Sequence, residues 1–229
     1  MRKSIIITLL ALITCAESYA QYHGKYPSGY IARGGRGYDN GANTYYRDRA
    51  RTYFGLRIGL SASTVSSDDA SLDGGSMKAG LSVGAILGVQ LSNSTPLCLE
   101  TGLLYVEKGG KGVYANKNFT YNLNYLEIPF LLKFKVYPSV DWSIQPFLGP
   151  YIGIGVGGKI KDYGDRAAYS SFSDGNFRSF DAGLRAGVGC QYNILYMELG
   201  YDLGLSNICY DNFDTSRNGA LFVNVGVNL

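Results

Sequence analysis

The chain has one histidine, His23, among its 229 residues. That scarcity excludes a Ser-His-Asp triad or a multi-histidine zinc site over nearly the whole length. It also removes the side chain that most often serves as general base near neutral pH. Four cysteines, Cys15, Cys98, Cys190 and Cys209, show no C-x-x-C spacing, so neither a disulfide framework nor a thiolate metal cage is expected. The three after residue 20 are read as unpaired small residues, with one disulfide as the alternative. Beyond residue 20 no apolar run approaches the roughly 18 residues of a membrane helix. No sign of charge is in large excess either: 21 Lys and Arg against 18 Asp and Glu leave +3, which is no footprint of a nucleic-acid partner. No catalytic residue, metal ligand or cofactor is predicted.

Glycine and tyrosine are plentiful, at 31 and 20 residues, and so is strict alternation of apolar with small or polar side chains. Eight stretches alternate for nine residues or more: 53–63, 78–91, 97–107, 121–137, 142–158, 179–192, 195–206 and 220–229. A strand crossing a bilayer at a tilt needs about 9–11 residues, with one face toward lipid and the other toward a lumen. Soluble strands run nearer 5–6 residues. In the second stretch Ala79, Leu81, Val83, Ala85, Leu87, Val89 and Leu91 fall on one face, opposite Gly80, Ser82, Gly84, Gly88 and Gln90. The connections at 92–96, 138–141 and around Asn193 are short. Those at 64–77, 108–120, 159–178 and 207–219 are long and rich in Gly, Asp, Asn and Ser. The fold class expected is all-β: an eight-stranded antiparallel up-and-down transmembrane β-barrel with both termini periplasmic. Phe54, Tyr105, Tyr121, Tyr137, Trp142, Tyr192 and Tyr196, near strand ends, are expected in the interfacial girdles.

Three regions follow. Arg2 and Lys3, the apolar run 5–13 and Ser18-Tyr19-Ala20 read as a signal peptide over 1–20 cleaved after Ala20. A lipoprotein signal ending at Cys15 is the alternative. Residues 21–51 carry six bases, Lys25, Arg33, Arg36, Arg47, Arg49 and Arg51, against Asp39 and Asp48. With few aliphatic groups, this segment is predicted to be a flexible Gly/Tyr/Arg-rich periplasmic arm. Residues 52–229 form the barrel, and the destination is the cell outer membrane.

On the lumenal face the alternation places Arg57, Glu100, Glu127, Lys133, Asp181, Arg185, Glu198 and Asp202. Eight strands leave room only for side chains, so these groups are expected to form an internal salt-bridge and hydrogen-bond network. A narrow ion path is the alternative. The run Gly153-Ile154-Gly155-Val156-Gly157-Gly158 fits G-x-G-x-x-G. It lies on a strand with no helix pattern after it, so it is read as barrel wall and not as a dinucleotide site. In the 159–178 connection, Lys159, Lys161, Tyr163, Arg166 and Tyr169 combine charge with aromatic rings suited to partner recognition.

Three segments, 125–134 (YLEIPFLLKF), 146–153 (PFLGPYIG) and 180–189 (FDAGLRAGVG), together with Glu198-Leu199-Gly200-Tyr201, resemble the PorT-like outer-membrane β-barrel family of Gram-negative bacteria. The resemblance covers about residues 52–229 and implies an eight-stranded barrel with little chemistry. It departs at Leu229, where such barrels often end in an aromatic residue. The chain is therefore expected to be a non-enzymatic integral outer-membrane protein, a scaffold or accessory that docks partners through its loops and basic arm. The expected partners are outer-membrane lipid, the outer-membrane insertion machinery and secretion or surface-assembly proteins, with no nucleic acid. A small-solute or ion channel, or a surface adhesion protein, is the alternative.

Overall fold

The computed structural model describes residues 52–67, 76–91, 96–114, 117–138, 141–162, 168–172, 177–209 and 215–229. The expected signal peptide, its cleavage after Ala20, the arm 21–51 and the loop residues Tyr163 and Arg166 lie outside them. In chain order the strands are β1 (Thr52–Ser67), β2 (Lys78–Gln90), β3 (Leu97–Tyr114), β4 (Lys117–Phe134), β5 (Trp142–Gly157), β6 (Lys159–Asp162), β7 (Tyr169–Ser170), β8 (Phe180–Tyr192), β9 (Leu195–Gly204) and β10 (Ser216–Asn228). Eight of them form a closed antiparallel ring, β1-β2-β3-β4-β5-β8-β9-β10, in which β10 returns to pair with β1 and β3 pairs with β4. Closure pairs the wall backbone within the chain, which a lipid environment demands.

Each long strand is held by its alternation. In β1 Leu60 is 67% exposed on the outer face while its neighbour Ser61, facing the lumen, is 4% exposed. Leu81, Leu103, Leu132, Leu148, Leu184, Leu199 and Val223 continue the outer apolar surface around the ring. Such a belt, left in water, would be an exposed patch far larger than soluble monomers carry.

Inward rings lie over cross-strand glycines. Tyr53 covers Gly88, Tyr121 covers Gly110, Phe147 covers Gly187, Tyr151 covers Gly183, Tyr196 covers Gly189 and Phe222 covers Gly200. A narrow barrel cannot hold two large inward side chains at one cross-strand position, so glycine on one strand makes room for the aromatic ring on the other.

The loop end of the barrel, where β1, β3, β5 and β9 end and β2, β4, β8 and β10 begin, differs from expectation. β3 and β4 stay paired to Tyr114 and Lys117, so the region expected as the loop 108–120 is mostly hairpin. The Gly-rich run from Lys108 to Gly112 suggests a loop by local propensity, but cross-strand pairing with β4 overrides it. Within the expected loop 159–178, β6 pairs with β4 through Phe119↔Asp162, Thr120↔Lys161 and Tyr121↔Ile160, and β7 adds to β6. Gly158, at φ 143°, turns the chain from β5 into β6, a backbone conformation that L side chains rarely adopt.

At the opposite, turn end, β1 begins and β10 finishes. There Asn193, at φ 51°, and Ile194 are the two residues between the paired Tyr192 and Leu195, a tight hairpin in which Asn tolerates the left-handed region. Two expected girdle residues, Tyr121 and Tyr196, are 0% and 2% exposed and point inward. They share the inward parity of Glu127 and Glu198, and strand parity, not nearness to a strand end, fixes the face. Phe54, Trp142 and Tyr192 do lie on the outer surface, and the Trp142 and Tyr192 rings touch at 5.0 Å.

Candidate functional site

All eight charged residues predicted for the lumen are buried there. Their strand positions sort them into two groups. On the turn side, Lys133 of β4 contacts Glu100 of β3 at 2.7 Å and Glu198 of β9 at 3.5 Å, and Arg57 of β1 stands 3.8 Å from Glu100. Neutral partners complete this group. Tyr53 donates to Glu100 at 2.6 Å, Lys133 donates to the Tyr196 hydroxyl at 2.6 Å, Arg57 donates to Asn228 at 2.7 Å, and Asn224 donates to Glu198 at 2.8 Å. The Arg57 guanidinium also lies 4.0 Å from the centroid of the Tyr196 ring.

On the loop side, Arg185 of β8 forms a two-pronged pair with Asp202 of β9, Nε to Oδ1 at 2.6 Å and an Nη to Oδ2 at 2.7 Å, and reaches Glu127 of β4 at 2.7 Å. The planar guanidinium fork matches two carboxylates held on neighbouring walls. Asp181 of β8 accepts from Asn218 at 3.0 Å, Ser206 at 3.1 Å and Tyr151 at 3.4 Å.

Between the two groups lies an apolar layer of Leu131, Phe147 and Phe222. It occupies the inward positions between Lys133 and Glu127 on β4 and between Asn224 and the loop end on β10. Above the loop-side group a second apolar cluster, Val65, Tyr121, Leu123, Tyr125, Ile160, Phe177, Ile208 and Cys209, fills the mouth. Among the described residues the lumen is thus a stack of charged and apolar layers.

The ninth member of the network is Lys108, which the sequence reading leaves in a loop. Its Nζ meets Glu127 at 2.6 Å, Asp181 at 3.4 Å and Asp202 at 3.5 Å, lies 4.3 Å from the Tyr151 ring centroid, and is fully buried. A signal for it existed. Cys98, Glu100, Gly102, Leu104, Val106 and Lys108 share one parity along β3, and continuing the alternation one residue past the expected strand end at 107 points Lys108 inward.

Lys159 and Lys161, expected as recognition residues, are exposed on β6, and Tyr169 lies on β7, where its backbone pairs with Ile160. The G-x-G-x-x-G stretch is the end of β5, and Gly155 makes room for the Phe172 ring. Cys98, Cys190 and Cys209 are thiols, none in a disulfide, and Cys98 faces the lumen. Among the described residues no group of three or more His, Cys, Asp or Glu is placed to hold a metal ion.

Residues 42–210 match the outer membrane protein beta-barrel domain family. The chain belongs to this family. Its barrel therefore sits in the outer membrane, its apolar belt toward lipid. Several solved barrels are similar to it at low identity. Neisserial surface protein A is 14% identical, with 77% of this chain and 97% of that one covered at a TM-score of 0.46. The attachment invasion locus protein Ail of Yersinia pestis, in complex with the heparin analogue sucrose octasulfate, is 14% identical, with 79% and 100% covered at 0.41. The N-terminal β-barrel domain of Pseudomonas aeruginosa OprF is 11% identical, with 76% and 97% covered at 0.34. No curated protein matches the chain.

Proposed function

We propose that this family member is a non-enzymatic outer-membrane scaffold of PorT-like type that docks protein partners through its loop end and its basic arm, with both termini periplasmic. The observation that supports this reading is the filled lumen. Its five carboxylates are each paired with one or more of Arg57, Lys108, Lys133 and Arg185 and lie among aromatic rings, an arrangement that commits them to holding the barrel. On this proposal the segments that act are those outside the wall. Lys159 and Lys161 on β6 present an exposed basic strand there, and the arm carries a further excess of four positive charges. Both favour an acidic partner surface, which steers encounter by long-range attraction. Secretion or surface-assembly components fit that role.

Affinity isolation from native outer membranes in mild detergent tests the reading, beside a chain lacking residues 21–51 and a Lys159→Glu/Lys161→Glu variant. A stoichiometric protein that is lost with either change supports docking. Recovery of the bare barrel from all three, together with steady conductance of the purified protein in a planar bilayer, would replace docking with a channel.

A further inference from the structure

The hairpin of β3 and β4 stops being barrel wall at one level. β2 and β3 pair from Cys98 to Val106 and no further, although β3 stays paired with β4 to Tyr114. Past Val106 the Glu107 carbonyl accepts from Ser61 Oγ at 3.0 Å, and the Gly109 carbonyl accepts from Ser63 Oγ at 3.0 Å. Both serines face the lumen from β1, and the Glu107 carbonyl also covers the inner side of Gly80 on β2. β3 has therefore left the ring and lies against the inner faces of β1 and β2. The Glu107 carboxylate turns back to accept from the Leu81 backbone N–H at 3.3 Å, replacing a ladder bond that β3 has given up.

Irregular backbone marks the same level on both strands. Gly109 has φ 136°. On β4 the register against β5 shifts between Asn124 and Tyr125, and Asn124 is the cross-strand partner of Glu107. A bulge of this kind re-aims a strand and concentrates bending at one place.

We propose that the hairpin beyond the Glu107–Asn124 pair, together with β6, which pairs with its β4 arm from Phe119 to Tyr121 and joins the wall at Gly158, is a plug hinged at that level and latched by Lys108, and that its release opens a blind, acid-lined vestibule at the loop end of the barrel. Among the described residues of the hairpin, Lys108 is the side chain that engages the wall charges. The wall itself supplies Glu127, Asp181 and Asp202 against Arg185, three negative charges to one positive, so lifting Lys108 out leaves a net −2 that favours cationic over anionic visitors. The Leu131, Phe147 and Phe222 layer, which the hairpin does not contribute to, stays in place as the floor. The vestibule is thus accessible without becoming a through-channel.

A thiol placed under the plug reads its position. Ser63→Cys, in a chain whose other cysteines are alanine, is reconstituted in nanodiscs open to both faces and treated with a cationic or an anionic methanethiosulfonate. With Lys108 present the reaction is expected to be slow. Lys108→Ala should raise the cationic reagent's rate about tenfold or more, since a latch of buried ion pairs is lost, and Lys108→Arg should stay near the parent. In the Lys108→Ala protein the cationic reagent should outpace the anionic one several-fold, and planar-bilayer conductance should stay at baseline. Ser61→Ala removes a partner of the Glu107 carbonyl without touching a charge and should raise the rate by about threefold, in keeping with one lost hydrogen bond. It carries the test if Lys108→Ala does not give a folded barrel on a heat-modifiability gel. Equal rates in parent and released variants, with full reaction after denaturation, would overturn the plug. Equal rates for the two reagents would overturn the acid lining.

Discussion

Replacing Arg185 with methionine removes the guanidinium and leaves most of its packing volume. The loop-side group then holds Lys108 alone against Glu127, Asp181 and Asp202, so its balance falls from −1 to −2. Three charge-assisted hydrogen bonds disappear, at 2.6, 2.7 and 2.7 Å, and the Phe222 ring loses a cation 4.8 Å from its centroid. Each such bond contributes about 1.5–3 kcal/mol net, but Lys108 touches the same carboxylates and takes up part of the loss. The expected cost is therefore about 3–5 kcal/mol, the range found when one partner of a buried pair is removed. Urea titration in phospholipid vesicles measures it, followed by the emission of Trp142, the single tryptophan. This indole lies on the outer surface beside Tyr192 and reports on insertion. The double variant Arg185→Met/Asp202→Leu removes one charge of each sign and returns the group to −1. It should recover most of the stability, to within about 1–2 kcal/mol of the parent, because apolar replacement of a whole buried pair is often close to neutral. A loss below about 1 kcal/mol for the single variant, or a double variant no better than the single, would refute the claim that uncompensated buried charge sets the cost.

Three further outcomes follow from the same packing. Gly187→Ala places a methyl group between the Phe147 ring and the Leu199 carbonyl and should lower stability by about 1–3 kcal/mol as overpacking does, with Phe147→Leu recovering part of it in the same titration. Leu199→Arg, midway along the outer face of β9, should cost about 2–4 kcal/mol, whereas Tyr192→Arg near the membrane edge should cost about 0–1 kcal/mol. Similar costs at the two sites would contradict the assignment of the apolar belt to lipid. Gly158→Ala should lose about 1–3 kcal/mol through its positive φ and its close approach to the Asn122 carbonyl, which the unfolding midpoint reads directly.

Strand existence, strand face and compartment were legible because they rest on a local rule. Side chains two apart share a face, so seven apolar residues at alternate positions in 78–91 specify an outer surface before any partner strand is known. The same parity placed Arg57, Glu100, Glu127, Lys133, Asp181, Arg185, Glu198 and Asp202 inside. It would have placed Lys108, Tyr121 and Tyr196 there too, had it been followed through the glycines and strand ends where propensity and position argued otherwise.

What alternation along a single strand does not contain is the neighbour. That Arg185 chooses Asp202 and Glu127, that Gly187 is a seat for Phe147, and that β3 leaves the ring at Glu107 to bring Lys108 among three carboxylates are all cross-strand facts set by register and closure. The sequence by itself determined that this chain is an outer-membrane barrel with a charged lumen, since a bilayer constrains every residue of a spanning strand in the same way. Only the tertiary structure decided that the lumen is filled in layers and that β3 brings Lys108 in among the carboxylates. A buried charge finds its energetic minimum through partners that stand far away along the chain.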